Sequence, residues 1–133
     1  MGLFNRNKAG SKRSPSSLQI PDELAQRAHT QYGSSNFMTA AELYSQAVDK
    51  LHTMYVVGEC KYRQPSQSDT LIMEGLVSAV EAALAMDSNA PVRSLTEQSI
   101  GYLRQIIELP QAKPAAGLYE FAIRELTANL RSG

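Results

Sequence analysis

Residues 22–51, DELAQRAHTQYGSSNFMTAAELYSQAVDKL, decide how the rest of the chain is read. Leu24, Ala28 and Tyr32 recur every four residues and stop at Gly33-Ser34-Ser35-Asn36. Phe37, Ala40, Ala41, Tyr44, Ala47, Val48, Leu51 and Tyr55 then form a second apolar stripe with a period near 3.6. This pattern predicts two antiparallel helices joined by a tight turn. Gly33 is the expected left-handed residue of that turn, because glycine has no Cβ to clash. Ser35 or Asn36 is expected to cap the second helix through a side-chain oxygen. Ala28, Ala40 and Ala47 are small enough for the two axes to approach, and Tyr32, Phe37 and Tyr44 fill the space beside them.

Outward from the hairpin, the first helix starts near Pro21-Asp22-Glu23, where proline and two acids suit a positive helix end. The second is expected over residues 37–57. Residues 58–67, GECKYRQPSQ, read as a polar connection. A third helix, over 70–86, is apolar nearly all round and is expected to be central. Ser68 or Asp69 would cap it, and Glu74, Ser78 and Glu81 form its narrow polar face. Gly75, Ala79, Ala82 and Ala83 would admit close neighbours. The fourth helix, over 91–109, carries Leu95, Tyr102, Leu103, Ile106 and Ile107, with Ser94 and Glu97 at capping-box spacing if it starts late. Prolines at 110 and 114 break the chain before a fifth helix over 115–130. No alternating strand pattern stands out. The expectation is an all-α domain of about five helices over 18–133: a hairpin, a helical pair and a C-terminal capping helix.

The hairpin resembles the tetratricopeptide repeat (TPR). Leu24, Ala28, Tyr32, Phe37, Ala40, Tyr44 and Ala47 take the family's large, small and aromatic places without a gap. The stretch is also similar to the first two helices of MIT domains, which bind short helical peptides. The TPR likeness implies a groove along the first helix, with Ala25, His29 and Gly33 on or near its face and Gln26 and Tyr32 alongside. Family members that grip a carboxylate terminus use Lys and Asn where this chain has Ala25 and His29. A helical or apolar partner segment is therefore the expected ligand.

Composition narrows the classes of function. The length suits one domain with its own core. The 133 residues hold thirteen basic and thirteen acidic side chains, unevenly spread. Residues 1–17 carry Arg6, Lys8, Lys12 and Arg13 and no acid, so the remainder is acidic. An acidic domain argues against nucleic acid as a partner. The first 17 residues are expected to be a flexible basic tail, and weak contact of that tail with an anionic membrane is one alternative role. Self-association into a homo-oligomer is another. With no long apolar run and no leader pattern, the chain is read as cytoplasmic, peripheral to a membrane at most.

Catalytic chemistry is not expected. His29 and His52 are the only histidines, without a paired His or Cys, so no metal and no cofactor is expected. Cys60 lacks an identifiable base. Glu74 with Glu81, and Glu120 with Glu125, sit at spacings of solvated helix faces. The sequence thus points to a non-enzymatic adaptor or scaffold that binds a protein or peptide. A small-ligand-binding helical bundle is the further alternative.

Overall fold

A computed structural model describes residues 19–57, 67–87 and 91–132. The basic residues Arg6, Lys8, Lys12 and Arg13, and the connection holding Cys60, lie outside the described residues. Among these residues five α-helices follow in order: α1 (Gln19–Gly33), α2 (Phe37–Val56), α3 (Gln67–Met86), α4 (Val92–Ile107) and α5 (Ala116–Ser132). A 3-10 helix, Pro110–Ala115, joins α4 to α5. No strand occurs among the described residues. The all-α expectation and the number of helices hold.

The α1–α2 turn differs from expectation in its chemistry. Gly33 closes α1 as a helical residue, and the positive φ of 66° belongs to Ser35. Asn36 N–H donates to Gln31 O at 2.9 Å, and Ser35 N–H donates to Tyr32 O at 3.0 Å. That pair of bonds is a Schellman motif with Ser35 as its left-handed residue. Asn36 precedes α2 but makes no side-chain capping bond. Its amide instead donates to Gln31 Oε1 at 2.9 Å. A serine in the left-handed region carries a Cβ penalty that glycine escapes. Ser35→Gly is therefore expected to stabilise the fold by about 0.5–1 kcal/mol, after glycine's larger unfolded-state entropy is counted. Denaturant unfolding measures this, and a loss of stability would contradict the assignment of strain.

Packing follows the small residues. Ala28, Ala40 and Ala47 are fully buried, and Tyr32 meets Phe37 edge-on across the turn at 5.1 Å. Beyond the hairpin, α2 also packs on α3 and α4, while α5 packs on α3 and α4. These four helices close a ring, and α1 lies over the seam of α2 and α3. Sequence neighbours α3 and α4 touch each other only slightly. The interior position expected of α3 is shared with α2, which buries nine residues. On α3, Leu71 is 38% exposed and Met86 73% exposed, so its apolar circumference is not wholly covered.

Polar contacts set the helix directions. Ser45 and Ser99 hydroxyls share a hydrogen bond of 2.9 Å. Two turns further along both helices, His52 Nε2 donates to Gln105 Oε1 at 2.6 Å, and the His52 ring lies 4.6 Å from that of Tyr102. These matched offsets make α2 and α4 parallel. Arg93, in the first turn of α4, donates to Leu130 O near the end of α5 at 2.9 Å, so those two run antiparallel. Between the prolines, where the sequence suggested only a break, Ala112 and Ala115 are buried. There Gln111 Nε2 donates to Tyr55 O at 3.0 Å and satisfies a carbonyl at the end of α2. Two caps expected from sequence lie elsewhere in the register. Ser68 and Asp69 fall inside the first turn of α3, and α4 begins at Val92, ahead of Ser94.

Candidate functional site

The candidate site is an open groove of about 190 Å³ between α1 and α3. Its orientation follows from the hairpin. The tight turn makes α1 antiparallel to α2. Phe37 and Met38 at the start of α2 share a hollow with Ala83 and Met86 at the end of α3, so α2 and α3 are antiparallel too. Helices α1 and α3 therefore run side by side in one direction. Residues in the second half of α1 face the first half and middle of α3.

From α1 come His29 and Tyr32; from α3 come Leu71, Glu74, Gly75 and Ser78. Helical spacing explains the α3 set, since positions 71, 74, 75 and 78 fall on one face. Tyr44, reaching up from α2, forms the floor. It can do so because residue 75 is glycine. A Cβ there would overlap the Tyr44 ring and its hydroxyl. Burial pushes the Tyr44 phenol above its ordinary value of 10.0, and the neighbouring Tyr32 adds to that effect. Tyr44 is therefore a neutral hydroxyl at any physiological pH.

The five positions named from sequence separate. His29 and Tyr32 line the groove. Ala25 is buried in the core, because α1 is covered by both α2 and α3 and its apolar face is correspondingly broad. Gln26 and Gly33 are exposed but lie outside the groove lining. Conversely, Leu71, Glu74, Gly75 and Ser78 were not assigned to a site from sequence. Their available signal was the narrow polar strip on an otherwise apolar helix.

Chemically, the groove offers two tyrosine rings, an imidazole, a serine hydroxyl, one carboxylate and the exposed edge of Leu71. These groups suit recognition of a side chain that is cationic at its tip and apolar along its stem. Among the described residues, no group of three or more His, Cys, Asp or Glu is placed to hold a metal ion. No helix of the described residues is long and apolar enough to cross a membrane.

The fold and groove thus define an all-α helical domain with a solvent-open cleft between two parallel helices. Compared with protein-family models, curated proteins and solved structures, the chain matches none.

Proposed function

We propose that the chain is a non-enzymatic, TPR-like interaction module, an adaptor or scaffold that holds a protein segment in the α1–α3 groove. The observation that carries the reading is the groove itself. It is open to solvent, floored by Tyr44, and walled by His29 and Tyr32 on one side and by Leu71, Glu74 and Ser78 on the other. A cleft between parallel helices accepts an extended or helical segment along its length. The family resemblance of Leu24, Ala28, Tyr32, Phe37, Ala40, Tyr44 and Ala47 adds support, since that family binds peptides on the corresponding face. Glu74 and Leu71 supply the polar and apolar contacts that fix a bound segment.

The test compares affinity capture by the wild-type chain with capture by Tyr32→Ala and Glu74→Lys. Both residues are at least partly exposed, so thermal melts are expected to stay within a few degrees of wild type for Glu74→Lys. Partners that depend on the groove are expected to be recovered at least tenfold less by Glu74→Lys. A factor of ten corresponds to about 1.4 kcal/mol, a usual effect for a central charged contact. Unchanged recovery by both folded variants would remove the groove from the function.

A further inference from the structure

We propose that the α1–α3 groove reads one arginine side chain of a bound protein segment, its guanidinium lying against the tyrosine rings with Glu74 as the counter-charge. The inference rests on the reading of the groove as a peptide site and names the residue that anchors the peptide. Size is the first argument. The hollow holds about 190 Å³. An engineered protein cavity of about 150 Å³ takes a single benzene. The hollow therefore admits the end of one side chain, while the rest of the segment lies outside it along α1 and α3.

Charge decides the sign of that side chain. Glu74 is the one carboxylate in the lining, and no Lys or Arg stands beside it among the described residues of the hollow. Helix α3 carries no basic residue at all. An anionic side chain would be repelled there, whereas a cation pairs with the carboxylate through charge-assisted hydrogen bonds. The remaining groups choose arginine over lysine. Acceptors surround Glu74: the Ser78 hydroxyl one turn along α3, with His29 and the Tyr32 and Tyr44 hydroxyls from the other helices. A guanidinium holds five N–H donors in one plane, forks onto a carboxylate and stacks on aromatic rings. A lysine ammonium is a compact, strongly hydrated point charge that gives up more water on entering a hollow. Leu71, 38% exposed, stands one turn before Glu74 on the same face and meets the methylenes of the arginine stem. Leu71 and Ser78 are about 10 Å apart along the helix axis, so apolar, charged and hydroxyl contacts follow one another in a line. Gly75 adds no side chain between them, which leaves the Tyr44 ring within reach of the ligand.

Titration of the isotope-labelled full-length chain with Nα-acetyl-arginine amide, followed by backbone amide NMR shifts, tests this. Saturable shifts are expected at His29, Tyr32, Glu74, Gly75 and Ser78, with a dissociation constant of about millimolar for so small a ligand. Nα-acetyl-lysine amide is expected to bind about threefold more weakly. The citrulline analogue, equal in shape but uncharged, is expected to bind about tenfold more weakly. Glu74→Gln, at an exposed position, is expected to weaken arginine binding about tenfold at an unchanged melting temperature. Ser78→Ala, also at an exposed position, is expected to weaken it about threefold. Shifts that are absent or scattered over the surface, a citrulline analogue that binds as well as arginine, or binding that survives Glu74→Gln overturns the proposal. Equal affinity for lysine overturns the choice of a guanidinium. Free arginine binding more tightly than its capped form would make the free amino acid the ligand and overturn the peptide anchor. Absent arginine binding, with Glu74-dependent partner capture intact, removes the arginine anchor and leaves the peptide-site reading standing. Loss of that capture effect is the separate failure of the underlying reading.

Discussion

Tyr55→Ala is expected to lower the unfolding free energy by about 3–5 kcal/mol, the range for deleting a fully buried aromatic. Tyr55 is completely buried near the end of α2. Its ring meets that of Tyr119, on α5, edge-on at 6.1 Å and 86°. The two hydroxyls share a buried hydrogen bond of 3.2 Å. The backbone carbonyl of the same residue accepts from Gln111. Truncation therefore empties a large volume and also strips Tyr119 of a hydroxyl partner where α2, α5 and the 3-10 helix converge. Against a typical domain stability of about 5–15 kcal/mol, such a loss is a large fraction of the total. Tyr55→Phe keeps the ring and is expected to cost about 1 kcal/mol, the net worth of one hydrogen bond. Tyr55→Phe with Tyr119→Phe is then expected to cost less than the two single changes added, because each single change already breaks the shared bond. Urea unfolding of the four chains decides it. Full additivity would show that the hydroxyl pair contributes nothing.

Gly75→Ala is the second large effect, with an expected loss of about 1–3 kcal/mol from overpacking. An added Cβ would meet ring carbons and the hydroxyl of Tyr44, which is 2% exposed and held beneath α3. The ring has to tilt or α3 has to move away from α2. Either response deforms the groove floor, so this change is expected to weaken partner capture as well as stability. Tyr44→Leu shortens the opposing side chain and leaves a cavity when made alone. Combined, Gly75→Ala and Tyr44→Leu are expected to cost measurably less than the sum of the two. Thermal unfolding of the single and double variants measures the coupling. If Gly75→Ala alone melted within a degree of wild type, the close approach of Tyr44 to α3 would be refuted.

Local pattern carried the helices into the sequence, and distance along the chain hid the site. The α1–α2 hairpin was legible because its contacts lie within 30 residues and its alanines and aromatics recur with helical period. Even there, Gly33 drew the turn assignment away from Ser35. Glycine tolerates the left-handed region, but a Schellman turn places that residue by hydrogen-bond register, and register put Ser35 there. Of the residues named from the family pattern, His29 and Tyr32 line the hollow between α1 and α3, whereas Ala25 belongs to the core side of α1. Glu74 and Ser78 were read as the narrow polar face of α3 and Leu71 fell among its apolar positions, since nothing local tells that these residues face α1 about 45 residues earlier. The 3-10 helix was also hidden. Its prolines signal an interruption, but the burial of Ala112 and Ala115 depends on α4 and α5 closing around them.

The slight contact between α3 and α4 has a kinetic consequence. Those two helices follow one another in the chain, yet α2 on one side and α5 on the other hold them in place. A nascent chain can form the α1–α2 hairpin early from nearby contacts and add α3 to it. Helix α4 can settle against α2, but the ring stays open until α5 emerges and bridges α4 to α3. The final closure pairs segments far apart in sequence, which raises contact order above that of a string of local hairpins. The expected result is that weakening the α3–α5 contact slows folding more than weakening the α1–α2 hairpin does, which stopped-flow refolding of variants in the two contacts measures.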